Sequence, residues 1–279
     1  MILVFGASGV VGSALLGELA GSGRPLRAAI HTRPVEQPGV ESVRVDLTTG
    51  AGLDAACAGA DAMFLLSADM PDQTAAELRA VEAARRAGVR RVVKLSVLGA
   101  ESEAFAYARI HRPVERALAA SGLDHILLRP AGFMQNFIHH HGHAIRGGAL
   151  RLPCGDSREA HVDVRDIARV AARCLLEAGH EGRAYDLCGP AALTYHEVAA
   201  ALSAAIGREV SYVPVSEDAF RAEMRAFGAS DAAPEALLEL FRFHVAGMAP
   251  LASDAVLAVT GRPPTDFAAF AREHAALWR

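Results

Sequence analysis

The sequence predicts an α/β fold in which a doubly wound parallel sheet precedes a smaller, mostly helical C-terminal part. Over residues 1–130, short β-rich apolar runs alternate with longer stretches of helical periodicity, as in parallel strands connected by helices. The run Met63-Phe64-Leu65-Leu66 is apolar on both faces, which is typical of a strand covered by helices on both sides. After Pro130 the alternation loosens, and residues 216–279 have the pattern of helices.

Strands and helices alternate strictly in the first half of the chain. The predicted strands are Ile2–Phe5, Leu26–Ile30, Val43–Val45, Ala62–Leu66, Arg91–Ser96 and His125–Leu128. The predicted helices are residues 10–22, Leu53–Cys57, Thr74–Ala87 and His111–Ser121. Gly88 and Gly122 end the last two helices, as glycine commonly does because it adopts positive φ without strain.

The second half is predicted to return once to the sheet and then to become helical. A helix at Asp163–Glu177, with Asp163 or Asp166 as N-cap, precedes a strand at Ala184–Leu187. A further helix at Tyr195–Ile206 starts with Thr194 and Glu197 at capping-box spacing. Breaks in the remaining helical stretch are predicted at Gly228, Pro234, Pro250 and Pro263-Pro264.

The composition excludes several functional classes. The 279 residues include 28 Lys and Arg against 32 Asp and Glu, and a net charge of −4 provides no basic surface for nucleic acid or an anionic membrane. No apolar run approaches the about 20 residues of a membrane span, and the N-terminus lacks the basic segment of a signal peptide. The scattered Cys57, Cys154, Cys174 and Cys188 are expected to be reduced thiols. We expect a cytoplasmic monomer or homodimer.

A glycine-rich loop, Gly6-Ala7-Ser8-Gly9-Val10-Val11-Gly12, follows the first strand and opens the first helix. Its G-x-x-G-x-x-G spacing is a wider relative of the dinucleotide-binding fingerprint. Gly6 allows the tight turn, Gly9 lets a pyrophosphate approach the backbone, and Gly12 lets the helix pack against the sheet. The motif predicts a Rossmann-type NAD(P)-binding domain over residues 1–130, with a returning sheet segment near 160–190. Residues 131–160 and 190–279 would form the substrate-binding part. A glycine-rich turn without a ligand is the alternative.

The end of the second strand favours NADP(H), with NAD(H) possible. An NAD enzyme usually has an acidic residue there for the ribose hydroxyls, whereas this chain has His31-Thr32-Arg33. Thr32 and Arg33 are therefore predicted cofactor residues, since Arg33 could pair with a 2′-phosphate and stack on adenine. A solvated loop arginine is the alternative. Asp46 and Leu47, after the third strand, could bind the adenine edge, although Asp46 could equally start a helix.

The catalytic dyad of typical short-chain dehydrogenases, Tyr-x-x-x-Lys, is absent. Lys94 is the only lysine, and the residue four before it is Arg90. The nearest pattern is Tyr107-Ala108-Arg109-Ile110-His111, in which one helical turn would place Tyr107 and His111 on one face. A histidine could donate a proton near neutral pH, so both residues are candidate catalytic groups. The alternative is a partly buried pair at a helix start.

Four segments resemble the NmrA-like branch of the atypical short-chain dehydrogenase/reductases, and within it the NAD(P)H:quinone oxidoreductases. They are the Gly6–Gly12 loop, Leu66-Ser67, the stretch 111–123, and Leu128-Arg129-Pro130-Ala131-Gly132-Phe133-Met134-Gln135-Asn136-Phe137. The last segment is the most specific, and the C-terminal third of the chain is only loosely matched.

The resemblance implies an NADP-binding fold with a substrate cleft under the C-terminal part. It places Leu66, Ser67, Lys94, Ser96 and Pro130 at the cofactor, the last three near the nicotinamide. It places Phe133, Met134, Asn136 and Phe137 at the substrate cleft, and plain hydrophobic core is the alternative for the three apolar residues. Some relatives keep a lysine where His111 stands. Its absence puts ketone reduction in doubt but matters less for a quinone, whose reduction gives a stabilised hydroquinone anion.

Three functions remain open at this stage. The first is NADPH-dependent hydride transfer to a quinone or similar aromatic carbonyl in an apolar cleft. The second is a tailoring reductase or oxygenase of aromatic polyketide biosynthesis, and the third is a non-catalytic NADP(H) sensor. No metal is expected, because the consecutive His139-His140-His141 and nearby His143 do not share one helical face and have no carboxylate or cysteine at ligand spacing.

Overall fold

The computed structural model describes residues 1–230 and 232–279. Its strands are β1 Ile2–Val4, β2 Leu26–Ile30, β3 Val40–Arg44, β4 Ala62–Leu65, β5 Arg91–Leu95, β6 Asp124–Pro130, β7 Ala149–Leu152, β8 Arg158–Glu159, β9 Ala184–Leu187, β10 Leu193–Thr194 and β11 Ser211–Pro214. Its α-helices are α1 Val10–Leu19, α2 Leu53–Cys57, α3 Gln73–Arg86, α4 Ala106–Ala120, α5 Asn136–His139, α6 Gly142–Arg146, α7 Val164–Leu176, α8 Tyr195–Ile206, α9 Glu217–Ala226, α10 Ala232–Val245, α11 Ala255–Thr260 and α12 Phe267–His274.

Seven strands form one parallel sheet in the order β3-β2-β1-β4-β5-β6-β9. The chain runs from β1 to β3 in one direction and from β4 to β9 in the other, so the order reverses between β1 and β4. Open α/β sheets bind ligands at the carboxyl ends of the strands beside such a reversal. The fold class predicted from the sequence is confirmed.

Helices cover both faces of the sheet. On one face α1 packs on α7, and the apolar core there includes Leu15, Leu16 and Ile167. On the other face α2, α3 and α4 cover a second core that includes Met63, Leu65 and Val92. Both faces of β4 are therefore apolar because both are covered.

The C-terminal part has a core of its own. The short β11-β7 pair, α8 and α12 surround the buried Trp278, whose indole N–H donates to the Phe137 carbonyl oxygen at 3.0 Å. Thr194 and Glu197 form the predicted capping box of α8. Asp163 caps α7, accepting from the Arg165 N–H at 2.8 Å. Among the described residues, every helix is too short or too polar to cross a lipid bilayer.

Two elements start three or more residues earlier than predicted. Helix α4 begins at Ala106 rather than His111 and contains Pro113 in its interior. Proline interrupts the helical hydrogen-bond ladder and is best tolerated in a first turn, so the sequence pattern places the start of this helix too late. Strand β3 begins at Val40 rather than Val43, because pairing with β2 extends along the polar residues Glu41 and Ser42.

Candidate functional site

The glycine-rich loop closes tightly at the carboxyl end of β1. The Gly9 N–H donates to the Gly6 carbonyl oxygen at 2.9 Å, and Gly6 has a φ of +66°. A Cβ on Gly12 would lie 2.1 Å from the Gly6 carbonyl oxygen, and one on Gly6 would lie 3.0 Å from that of Leu66. The loop therefore has room for glycine alone at both positions, and Leu66 lies directly against it.

The start of α1 fits the diphosphate of a dinucleotide. Gly9 is the N-cap and supplies no side-chain hydrogen bond, and the first turn contains no acidic residue. The N–H groups of a first helical turn have no partner within the helix and favour an anion. Val10 is an exposed residue at this end, so the opening of the loop is not covered by protein.

The predicted adenine end is solvent-exposed. His31, Thr32 and Arg33 are all exposed after β2, and no described residue forms an ion pair with the Arg33 guanidinium. Asp46 holds a turn by accepting from the Thr48 N–H at 2.8 Å and the Thr49 hydroxyl at 2.9 Å. The suggestion that Asp46 starts a helix is corrected, because α2 begins only at Leu53.

Leu47 belongs to the same turn and is held from α3. Its carbonyl oxygen accepts from the Arg79 guanidinium at 2.8 Å, and the Thr48 carbonyl accepts from the same group at 2.7 Å. The turn is therefore fixed to the sheet domain by an arginine that the sequence pattern did not single out.

A chain of buried polar contacts runs from the glycine-rich loop to α4. Leu66 touches Gly6, and the hydroxyl of the next residue, Ser67, donates to Glu77 at 2.9 Å. The Lys94 ammonium on β5 lies 2.9 Å and 2.8 Å from the two Glu77 carboxylate oxygens. The same ammonium lies 3.2 Å from Nδ1 of His111. The tertiary structure thus brings the only lysine of the chain, Lys94, into contact with His111, which occupies the lysine position of the Tyr-x-x-x-Lys pattern.

All three protons of the Lys94 ammonium have acceptors in the protein. They are Glu77, the Leu95 carbonyl oxygen and His111 Nδ1. An ammonium is a donor in three directions and never an acceptor, so no proton remains for a cofactor. The cofactor role predicted for the Lys94 side chain is not supported by this arrangement, which gives Lys94 a different task.

Burial, and after it the Lys94 charge, holds the pKa of His111 well below its usual value of 6.5. His111 is therefore neutral near pH 7, and its role as a catalytic group stays a prediction. Its Nε2 has no hydrogen-bond partner among residues 1–230 and 232–279. Burial, with a smaller effect of the Asp69 charge, raises the pKa of Tyr107 above 10.0, so that hydroxyl stays protonated.

Ser96 belongs to a second buried network. Its hydroxyl donates to Glu115 on α4 at 2.7 Å, and Glu115 also accepts two bonds at 2.9 Å from Arg129 on β6. Burial opposes ionisation of Glu115, but the hydrogen bonds from Arg129, Ser96 and Arg112 outweigh it and lower the pKa. The network fixes α4 to the ends of β5 and β6, beside Pro130.

The four predicted substrate residues divide into two pairs. Phe133 and Asn136 keep partial exposure, whereas Met134 and Phe137 are each 1% exposed. The Phe137 ring packs against the rings of His161 at 5.0 Å and Phe267 at 5.0 Å. Met134 and Phe137 are therefore core residues of the C-terminal part, and Phe133 and Asn136 remain candidates for substrate contact.

A buried cluster around the Glu159 carboxylate lies beside Gly132, and the sequence analysis missed it. Glu159 accepts from the Gly132 N–H at 3.0 Å and from the Tyr195 hydroxyl at 3.3 Å. His161 and His244 lie 3.7 Å and 3.5 Å from the same carboxylate. Tyr195 and His244 are far in sequence from Glu159 and His161, so no spacing pattern could have revealed the cluster. Through His244, it joins α10 to the segment that follows β6.

Sequence comparisons identify relatives along the whole chain. The NmrA-like family model matches residues 1–246. An NAD(P)H azoreductase of Xenophilus azovorans is 34% identical over 99% of this chain and 98% of its own length. A (4-alkanoyl-5-oxo-2,5-dihydrofuran-3-yl)methyl phosphate reductase of Streptomyces griseus is 38% identical over 99% of this chain and 98% of its own length.

Solved structures give the same fold. An NADPH-dependent quinone oxidoreductase of Escherichia coli complexed with NADPH superposes with a TM-score of 0.87, at 28% identity, over 98% of this chain and 99% of that chain. A triphenylmethane reductase of Citrobacter sp. complexed with NADP(H) superposes with a TM-score of 0.86, at 25% identity, over 98% of this chain and 99% of that one.

Proposed function

Because this chain belongs to the NmrA-like family, we propose that it is an NADPH-dependent reductase that transfers hydride to a quinone or a similar flat, conjugated acceptor. It is an NAD(P)H-dependent oxidoreductase of the quinone and azo-dye reductase type, and its relatives point to a small aromatic substrate.

The cofactor is NADP(H), and the residues present fit it. The Gly6–Gly12 loop and the open first turn of α1 would hold the diphosphate, and Arg33 would pair with the 2′-phosphate. When bound, NADPH supplies the hydride. The backbone of Leu66 and Ser67 borders the same site, because Leu66 lies against Gly6.

The observation that carries the proposal is the unbroken series of contacts from the glycine-rich loop through Ser67, Glu77 and Lys94 to His111. This series connects a dinucleotide cradle to a polar side chain whose Nε2 has no described protein partner. We assign His111 the task of donating a hydrogen bond to the substrate oxygen or nitrogen that becomes negative during reduction.

A neutral imidazole suits an acceptor that needs little proton transfer in the transition state. A reduced quinone delocalises its negative charge over an aromatic ring, so a hydrogen bond from His111 is sufficient and the proton can come from solvent. The azo, quinone and unsaturated-lactone substrates named for relatives are flat and conjugated, which supports the same class here.

Reduction of a conjugated C=C bond is a second candidate. The relative from Streptomyces griseus is named for an oxo-dihydrofuran substrate, and it is 38% identical along nearly the whole of both chains. An unsaturated lactone would present its carbonyl oxygen to His111 in the same way as a quinone does.

The test is loss of NADPH absorbance with a panel of quinones, azo dyes, unsaturated lactones and aromatic polyketides, with NADH in parallel. We expect saturable turnover with at least one acceptor and preference for NADPH. Arg33→Ala should weaken NADPH binding about tenfold, since an exposed charge-assisted contact is worth roughly 1–2 kcal/mol, and should leave NADH binding unchanged. Arg44→Ala, at the exposed end of β3, is the matched control.

Three other outcomes would contradict parts of the proposal. NADPH binding without turnover of any acceptor would favour a sensor of the cofactor redox state. Turnover confined to an aromatic polyketide would favour the tailoring role. Equal losses of NADPH and NADH binding in Arg33→Ala would remove Arg33 from 2′-phosphate recognition.

A further inference from the structure

We propose that Lys94 and Glu77 are positioning residues that hold the His111 imidazole as the Nε2–H tautomer. The effect of this tautomer on catalysis rests on the proposed function. The tautomer itself can be measured without any substrate.

The tautomer follows from the donor inventory. The Lys94 ammonium lies 3.2 Å from His111 Nδ1 and can only donate, so Nδ1 must accept. A neutral imidazole that accepts at Nδ1 carries its proton on Nε2, the nitrogen without a described protein partner. The structure therefore aims a hydrogen-bond donor away from the buried network.

Glu77 fixes the position of Lys94. Both side chains are fully buried, and the carboxylate contacts the ammonium with both oxygens, at 2.9 Å and 2.8 Å. The Ser67 hydroxyl donates to the same carboxylate at 2.9 Å and orients it from the end of β4. A charge without a partner would be costly at this depth, so the pair keeps the ammonium in a single place.

The other charged groups on or facing this stretch of α4 are committed to other partners. Arg109 pairs with Glu239 of α10, Arg112 pairs with Glu115, and Asp69 acts on Tyr107. Thr74 of α3 donates its hydroxyl to the Ile110 carbonyl oxygen at 2.8 Å. The charge that acts on His111 is therefore that of Lys94 from β5, balanced by Glu77 from α3.

The arrangement differs from a tyrosine–lysine dyad in what the lysine does. In Tyr-x-x-x-Lys the lysine follows the tyrosine on the same helix and acidifies a phenol. Here the ammonium comes from a strand, disfavours a second positive charge on the imidazole, and keeps it neutral. The His111 imidazole therefore stays neutral, with its Nε2–H as a hydrogen-bond donor, into acidic solution.

The test uses Lys94→Met together with the double variant Lys94→Met/Glu77→Gln, because the single change leaves a buried carboxylate without a counter-ion. The protein is labelled with ¹⁵N-histidine, and the His111 signals are assigned by comparison with His111→Gln. The paired change Asp166→Asn/Arg169→Met removes an ion pair on α7 whose carboxylate is buried and whose guanidinium is partly exposed, and it serves as the control.

We expect wild-type His111 to show the Nε2–H tautomer and to remain neutral well below pH 6.5. In the double variant the His111 titration midpoint should move upward, because the cation that opposes imidazolium formation is gone. Turnover should fall at least tenfold, with NADPH affinity, measured by fluorescence, within about twofold.

Two results would overturn the inference: a wild-type Nδ1–H tautomer, or a His111 titration that is the same in wild type and double variant, even if turnover falls. Absence of turnover with every acceptor would contradict the proposed function instead. In that case the tautomer and the midpoint would still decide the role of Lys94.

Discussion

At the scale of single residues, His111 depends on a lysine from another element. The helix spacing of Tyr107 and His111 is visible in the sequence, and the structure places both on α4. The contact between His111 and Lys94, 17 positions apart, is visible only after β5 and α4 pack together. A residue type can therefore be picked from a pattern, whereas its protonation state depends on neighbours that the pattern does not contain.

We predict that His111→Ala lowers kcat/KM about 100-fold or more while NADPH affinity changes little. The imidazole is proposed to contact the substrate, and a positioned donor contributes about two orders of magnitude. Stopped-flow NADPH oxidation and a fluorescence titration separate the two quantities. Unchanged turnover would remove His111 from the mechanism, and a parallel loss of cofactor affinity would indicate damage to the site as a whole.

At the scale of elements, α1 contains two glycines in different surroundings. Gly12 is buried where the helix crosses its own loop, and a Cβ there would lie 2.1 Å from a backbone oxygen. Gly17 is on the same helix, and a Cβ there would meet nothing within 4 Å. The G-x-x-G-x-x-G spacing identifies the first position correctly, because the close approach of loop and helix is what the motif encodes.

We predict opposite effects for alanine at these two positions. Gly12→Ala should destabilise the protein by about 1–3 kcal/mol or more, because the contact is with backbone that cannot move aside, and should abolish NADPH binding. Gly17→Ala should stabilise it by about 0.5–1 kcal/mol, since alanine loses less backbone entropy in a helix interior. Urea unfolding and NADPH titration of both variants provide the check, and equal stabilities would refute the steric argument.

At the scale of the whole molecule, buried titratable groups connect the sheet domain to the C-terminal part. Glu159 joins the segment after β6 to α8 and α10 through Tyr195 and His244. Burial lowers the pKa of His141 to about 4, with smaller effects of His140 and His161. Burial opposes ionisation of Glu159, but His161, His244 and the hydrogen bonds outweigh it and lower the pKa. The folded state therefore prefers neutral His141 and ionised Glu159.

We predict that the free energy of unfolding falls in two stages as pH is lowered. The folded pKa of His141 lies below 6.5, so the unfolded chain binds the proton first and stability is lost between pH 6.5 and about 4. That loss corresponds to about 2–4 kcal/mol. Below pH 4.5 the carboxylates with lowered pKa, including Glu115 and Glu159, add a second loss.

Chemical unfolding at pH 7, 5.5, 4.5 and 3.5 measures both stages. His141→Leu should reduce the loss between pH 6.5 and 4 by the contribution of His141. Part of the loss should remain, because burial also lowers the pKa values of His111 and His161. His139→Leu, at an exposed neighbouring position, is the control and should behave as wild type. An unchanged pH dependence in His141→Leu would show that other groups govern the first stage.

The sequence by itself determined the sheet, its order of elements and the glycine-rich loop, since these depend on local periodicity and on contacts between neighbouring residues. It also selected His111, Tyr107 and Arg33 as candidate groups. Only the tertiary structure brought Lys94 to His111, Ser96 to Glu115 and His244 to Glu159. It also placed Met134 and Phe137 in a core instead of an open cleft. The physical reason is that burial and the electrostatic field at a side chain are set by residues distant in sequence, which no local pattern records.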